Sequence, residues 1–176
     1  MVIWSVMLIP ALAIGVRHPY LNPMTETRLI DRALIRISAS DGTEDIQDFL
    51  QGLVTQDLQA VEPDKSQWSA LLIAQGKVLF DFLLWADGNG ILVDCDKAVV
   101  EALAKRLKLY RLRRKIGIEI DESMGVNWAR EATGKPADPR LAAMGFRWLS
   151  KSTTGSGVDE QYRAHRLSLG IAEGQA

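Results

Sequence analysis

The stretch SALLIAQGKVLFDFLLWADGNGILVDC (69–95) decides the architecture. SALLIA (69–74) and KVLFDFLLW (77–85) are apolar runs of strand length, and Gln75-Gly76 between them is a tight-turn pair. Two such runs around such a pair read as a β-hairpin. Asp87-Gly88-Asn89-Gly90 is a second turn, and ILVDC (91–95) follows it as a third strand. Side chains alternate across a strand, so Val78, Phe80, Phe82 and Leu84 share one face, and Leu79, Asp81, Leu83 and Trp85 share the other.

Upstream, ALIRIS (33–38) suits a strand, and Ser40-Asp41-Gly42-Thr43 is a turn rich in helix-capping residues. Ile46, Phe49, Leu50 and Leu53 then fall on one helical face, with Gly52 near its end. Residues 60–67, with Pro63, read as a loop. Downstream of the hairpin, a helix is expected from Asp96 to Tyr110, with Val99, Leu103, Leu107 and Tyr110 on one stripe. KIGIEID (115–121), Val126–Ala129 and FRWL (146–149) read as strands. Residues 133–140 and 152–157 read as loops, and 158–171 as a helix ending near Gly170. Strands grouped between few helices predict an α+β fold, an antiparallel or mixed sheet with helices on one face.

The 176 residues fit one domain of 24–176, large enough to bury a core without staples. With 47% hydrophobic and 24% charged residues, the composition excludes a disordered or collagen-like chain. A net charge of -1 excludes a global polycation built for nucleic acid. A single cysteine, Cys95, and two histidines, His18 and His165, exclude a disulfide framework and a Cys-rich zinc site; no metal is expected. The lone cysteine and the absence of a good secretory signal point to a reducing, cytoplasmic setting. Residues 1–23 carry an uncharged run, MVIWSVMLIPALAIGV, that is broken by Pro10 and too short for a membrane span. A mis-assigned start, a weak signal or anchor, and a structural extension are the three readings of this leader. LGIAEGQA (169–176) carries no terminal signal, so the chain reads as the front part of a longer sequence.

FLQGLVTQDL (49–58), ALLIAQGKVLFDFLLW (70–85) and LKLYRLRRKIGIEI (107–120), in this order and spacing, resemble the YgfZ-type folate-binding proteins. These belong to the superfamily of the glycine-cleavage T-protein, the aminomethyltransferase. QYRAHRLSLGIAEG (161–174) is similar to the stretch that precedes that family's C-terminal half, so the resemblance covers about residues 33–174. It implies a T-protein-like α+β fold with ferredoxin-like units around a folate channel, followed by a C-terminal barrel module that this chain lacks. It implies tetrahydrofolate as cofactor and an accessory role in iron–sulfur cluster assembly or repair, with assembly proteins or client apoproteins as partners. The alternative is folate-dependent aminomethyl transfer, and a third reading is a fragment without independent activity. No membrane or nucleic-acid partner is expected. The family's Lys-Gly-Cys motif lies downstream of the segment matched here, and Cys95, between Asp94 and Asp96, is not its cysteine. The chain alone is therefore not expected to be an enzyme.

Three residues are candidate folate contacts. Asp81 matches the family aspartate that handles folate; it shares its strand face with three apolar residues, where a carboxylate needs a partner. A pterin's N–H donors would supply one, whereas a solvent-facing strand would leave Asp81 without a role. Asp57, in Thr55-Gln56-Asp57, matches a turn near the family's folate channel and serves equally as a cap or turn residue. Arg166 suits either the glutamate carboxylate of folate or a structural ion pair. Lys105, Arg106, Lys108, Arg111, Arg113, Arg114 and Lys115 form a basic run that reads as a solvated helix end, an anion or folate-tail site, or a nucleic-acid contact. Cys95 between two aspartates reads as a buried, inert thiol.

Overall fold

The protein is described by a computed structural model over residues 27–132, 134–152 and 156–174. The expectation for residues 1–23 lies outside the described residues. Strand β1 (Arg32–Ala39) leads to helix α1 (Ile46–Gln51), capped by Asp45, whose carboxylate accepts the Asp48 N–H. The hairpin of β2 (Gln67–Leu72) and β3 (Val78–Asp87) follows, then β4 (Gly90–Asp96). Asp96 caps a short 3-10 turn that opens into α2 (Val100–Arg111). The chain continues through β5 (Ile116–Asp121), β6 (Met124–Ala129), β7 (Phe146–Lys151) and α3 (Asp159–Ser168). Gly170, at φ +70°, takes the left-handed conformation that ends this last helix without a Cβ penalty.

The fold is α+β with antiparallel pairing throughout. Five strands form one sheet in the order β2-β3-β4-β1-β5, and β6 and β7 form a separate two-stranded ribbon. In the hairpin, Ala70 pairs with Asp81 and Trp68 with Leu83; an irregularity between Leu71 and Leu72 takes up the register near the turn.

Both faces of the large sheet are covered, which corrects the expectation of helices on one face only. On the first face, Ile35, Ile37, Phe80, Phe82, Leu84, Val93, Cys95 and Ile118 pack against Ile46, Phe49 and Leu50 of α1 and Leu103 and Leu107 of α2. On the second face, Leu34, Trp85 and Leu92 pack against Val126 and Trp128 of β6 and against Tyr162 of α3. The physical reason is visible in β4: Gly90 to Cys95 are all buried, and a strand buried on both faces needs two covering layers.

Phe82 lies at the centre of the first core at 2% exposure. Phe82→Ala is expected to cost about 3–5 kcal/mol, read as a lower urea midpoint with an unchanged slope. An unchanged midpoint would remove Phe82 from the core.

Candidate functional site

The second face of the sheet carries a buried ionic cluster. Asp94 sits in β4 among apolar residues with no exposed surface. Arg32 of β1 donates from Nε to its Oδ1 at 2.7 Å and from Nη2 to its backbone carbonyl at 2.7 Å. Arg147 of β7, also fully buried, donates from Nε to Asp94 Oδ2 at 2.9 Å. Asp94 is thereby held by one arginine from its own sheet and one from the ribbon above it. Next to it, Arg140 forms a two-point contact with Asp138, Nε to Oδ1 at 2.8 Å and Nη2 to Oδ2 at 2.6 Å.

Glu173 joins the two halves of the cluster. Its Oε1 accepts from Arg32 Nη1 at 2.7 Å and lies 3.2 Å from Arg140 Nη1. Its Oε2 accepts from the Tyr162 hydroxyl at 2.9 Å and lies 3.1 Å from Arg166 Nε. Burial alone would raise the Glu173 carboxyl, but Arg32, Arg147 and Arg140 outweigh it and hold its pKa at about 2. Arg32 and Arg140 are correspondingly shifted above the ordinary arginine value, the neighbouring carboxylates and Tyr162 overcoming their burial.

The segment anchored by Glu173 ends on Asp81. The Gly174 N–H donates to Asp81 Oδ1 at 3.0 Å. Among the described residues Asp81 Oδ2 has no hydrogen-bond partner. Asp81 is half-buried, and burial raises its carboxyl above the usual range; Glu173 adds to this, while Gly174 and Arg32 oppose it. The hairpin register puts Trp68 on the same face, one diagonal step from Asp81, and the residue is 49% exposed. The arrangement offers a carboxylate oxygen with no partner among the described residues on the same sheet face as an exposed aromatic residue, a combination that suits a flat heterocycle with N–H donors.

The other candidates lie elsewhere or are already engaged. Asp57 is exposed and caps the 3-10 turn of residues 58–60, accepting the Gln59 N–H at 3.1 Å. Leu58 beside it packs into the first core, so Asp57 lies on the α1 side of the sheet and is not brought together with Asp81. Arg166 pairs with Glu173 and donates to the Ile171 carbonyl at 2.6 Å, fastening the turn after α3. Cys95 is fully buried; burial first, then Asp94, Asp96 and Asp81, push its thiol up to about 12 against the pull of Arg32. Among the described residues no group of three or more His, Cys, Asp and Glu side chains could hold a metal ion.

Sequence reasoning singled out Asp81 and missed Asp94, Arg147, Glu173 and Trp68. The signal for Asp94 is of the same kind, a carboxylate inside the apolar run ILVDC. Trp68 follows from folding the hairpin at Gln75-Gly76, which places Ala70 opposite Asp81. Nothing local marks Arg147, whose partner Asp94 lies far away in the chain, or Glu173, whose arginine partners Arg32 and Arg140 do as well.

No protein-family model matches the chain. It is similar to the iron-sulfur cluster assembly factor IBA57, mitochondrial, of Homo sapiens, with 30% identity over 184 residues, 84% of this chain and 51% of that protein. It is 31% identical to the mitochondrial IBA57 homolog of Pyricularia oryzae over 85% of this chain and 43% of that protein. The tRNA-modifying protein YgfZ of Vibrio vulnificus is 30% identical over 80 residues, 46% of this chain and 25% of that protein. A solved structure, the glycine cleavage system aminomethyltransferase of Bartonella henselae, aligns with a TM-score of 0.47 and 15% identity over 55% of this chain and 26% of that one. The chain is a relative of iron–sulfur cluster assembly factors and of YgfZ. It spans about half the length of the curated relatives it matches, 51% and 43% of the first two. The expectation of a cytoplasmic protein is overturned, because these assembly-factor relatives are mitochondrial. A lone free cysteine separates reducing from oxidising surroundings but does not separate one reducing compartment from another.

Glu173 has a depressed carboxyl in the fold, so its stabilisation is full above its ordinary pKa of 4.5 and disappears as pH falls from there towards about 2. Glu173→Gln is expected to lower stability by about 3 kcal/mol at neutral pH. The gap to wild type should narrow through that acid window in urea titrations at stepped pH. A gap independent of pH would show that another group titrates.

Proposed function

We propose that this chain is a tetrahydrofolate-binding accessory protein for iron–sulfur cluster assembly or repair. The observation that carries the ligand assignment is Asp81, a half-buried carboxylate with a raised pKa, one oxygen fixed by the Gly174 N–H and the other without a partner among the described residues. Pterin ring N–H and amino groups are the donors such an oxygen accepts, and the exposed residue Trp68 supplies a face for the ring to stack on. The residues present fit that group: Asp81 would hold the pterin and Trp68 would orient it. Bound tetrahydrofolate would supply a one-carbon carrier. Glu173, through its arginine partners, keeps the Gly174 N–H on Asp81 and so fixes the direction of its other oxygen. The assembly role is supported by the IBA57 relatives, whose names carry it. Asp57 and Arg166 take supporting places in this reading, Asp57 at a turn and Arg166 as the clamp on Glu173.

The test is titration calorimetry with tetrahydrofolate on wild type and Asp81→Asn. Losing one charge-assisted hydrogen bond of about 1.5–3 kcal/mol should weaken binding by about 10- to 150-fold. The melting temperature should hold or rise, because burial already disfavours the charged form of Asp81. Equal affinities would end the assignment of Asp81.

A further inference from the structure

The run of basic residues at the end of α2 divides into two groups of different character. Arg114 is tied to Glu44 at 2.8 Å and Asp48 at 3.1 Å, and Lys115 to Asp41 at 2.9 Å. Arg111 donates to the Ile116 carbonyl at 2.8 Å. Lys105, Arg106, Lys108 and Arg113 are exposed, and among the described residues none has an acidic partner. Three apolar side chains stand exposed among these free cations: Leu109 at 61%, Tyr110 at 37% and Leu112 at 83%.

Leu112 is the decisive residue. It follows the last turn of α2 at φ 53° and ψ -116°, a backbone conformation that favours glycine. The fold therefore holds a leucine in a strained conformation and leaves its side chain almost wholly in water. Strain of this kind points to a role outside folding. The apolar stripe of α2, Leu103 and Leu107, is already buried in the first core and does not contribute to this surface.

We infer that the Leu109–Arg113 tip is a docking surface for an anionic phospholipid membrane. Leu109, Leu112 and Tyr110 would enter the headgroup region while Lys105, Arg106, Lys108 and Arg113 meet the lipid phosphates. Anionic lipid surfaces attract clusters of four to eight Lys and Arg residues, and interfacial segments pair such cations with exposed leucine and aromatic side chains. Protein interfaces are depleted in lysine, and a single-strand RNA platform needs several aromatic rings, whereas this tip presents Tyr110 alone. Self-association through the tip would set like charges against each other. Among the described residues no helix is long and apolar enough to cross a membrane, and this contact requires none. A membrane contact of this kind departs from the sequence-based expectation of no membrane partner.

The experiment is co-sedimentation of the 176-residue chain with vesicles of phosphatidylcholine containing phosphatidylglycerol and with vesicles of phosphatidylcholine alone. Binding to the mixed vesicles alone, lost at high salt, is the expected result. Leu112→Gly should weaken that binding by about tenfold or more, and Lys108→Gln or Arg113→Gln by about fivefold each. Glycine is the residue this backbone favours, so Leu112→Gly should keep the melting temperature or raise it by about 2–4 °C. That pairing of equal or greater stability with weaker binding separates docking from a structural role. Absence of binding to the mixed vesicles, or equal binding by wild type and Leu112→Gly, overturns the inference. Binding to polyuridylate at the same salt without vesicle binding overturns it in favour of nucleic acid.

Discussion

The buried carboxylate of Asp94 is the constraint around which the second layer of this protein is arranged. A full negative charge inside an apolar sheet face is tolerated only when it is paired and hydrogen-bonded. Arg32 reaches it along the sheet and Arg147 from the ribbon above. The ribbon thus has a reason to lie where it does beyond the apolar contacts of Val126 and Trp128. A purely apolar interface would leave its register on the sheet loosely specified, whereas two fork-shaped guanidiniums on one carboxylate admit few alternatives.

The same ionic cluster extends to the candidate site. Arg32 bonds Asp94 with one part of its guanidinium and Glu173 with another, and the residue after Glu173 bonds Asp81. A line of direct contacts therefore runs from the centre of the sheet to the carboxylate of Asp81, one diagonal step in the hairpin from Trp68. Its members come from β1, β3, β4 and the segment after α3, so the site is complete only when distant parts of the chain have come together. Ordered polar groups of this kind are costly when partly satisfied and rigid when fully satisfied.

Local pattern made much of the fold legible and long-range pairing the remainder. The hairpin at Gln75-Gly76, the stop at Gly170 and the Leu103 and Leu107 positions of the α2 stripe were readable, because each rests on periodicity or turn chemistry within a few residues, whereas Tyr110, expected on that stripe, is exposed. The placement of β1 between β4 and β5 was not, because it depends on contacts across the chain. The second covering layer was implied by the unbroken run ILVDC, yet the grouping of strands and helices pointed to one layer. In the site, Asp81 was legible because one carboxylate interrupts an apolar alternation. Glu173 was not, because its depressed carboxyl is the work of arginines drawn from three separate segments.

Cys95 gives the chain a reporter of its own. It is the one cysteine in 176 residues, it lies in the first core beside Val93 and Phe82, and its thiol is pushed up to about 12. A thiol reagent in neutral solution meets neither an accessible sulfur nor a thiolate while the sheet is closed. The rate at which the sulfur is modified is then the rate or equilibrium of opening of the central strands, according to whether reclosing is slower or faster than the chemistry. A single residue with no part in the site thus converts the cohesion of the sheet into a quantity that a colorimetric assay can time.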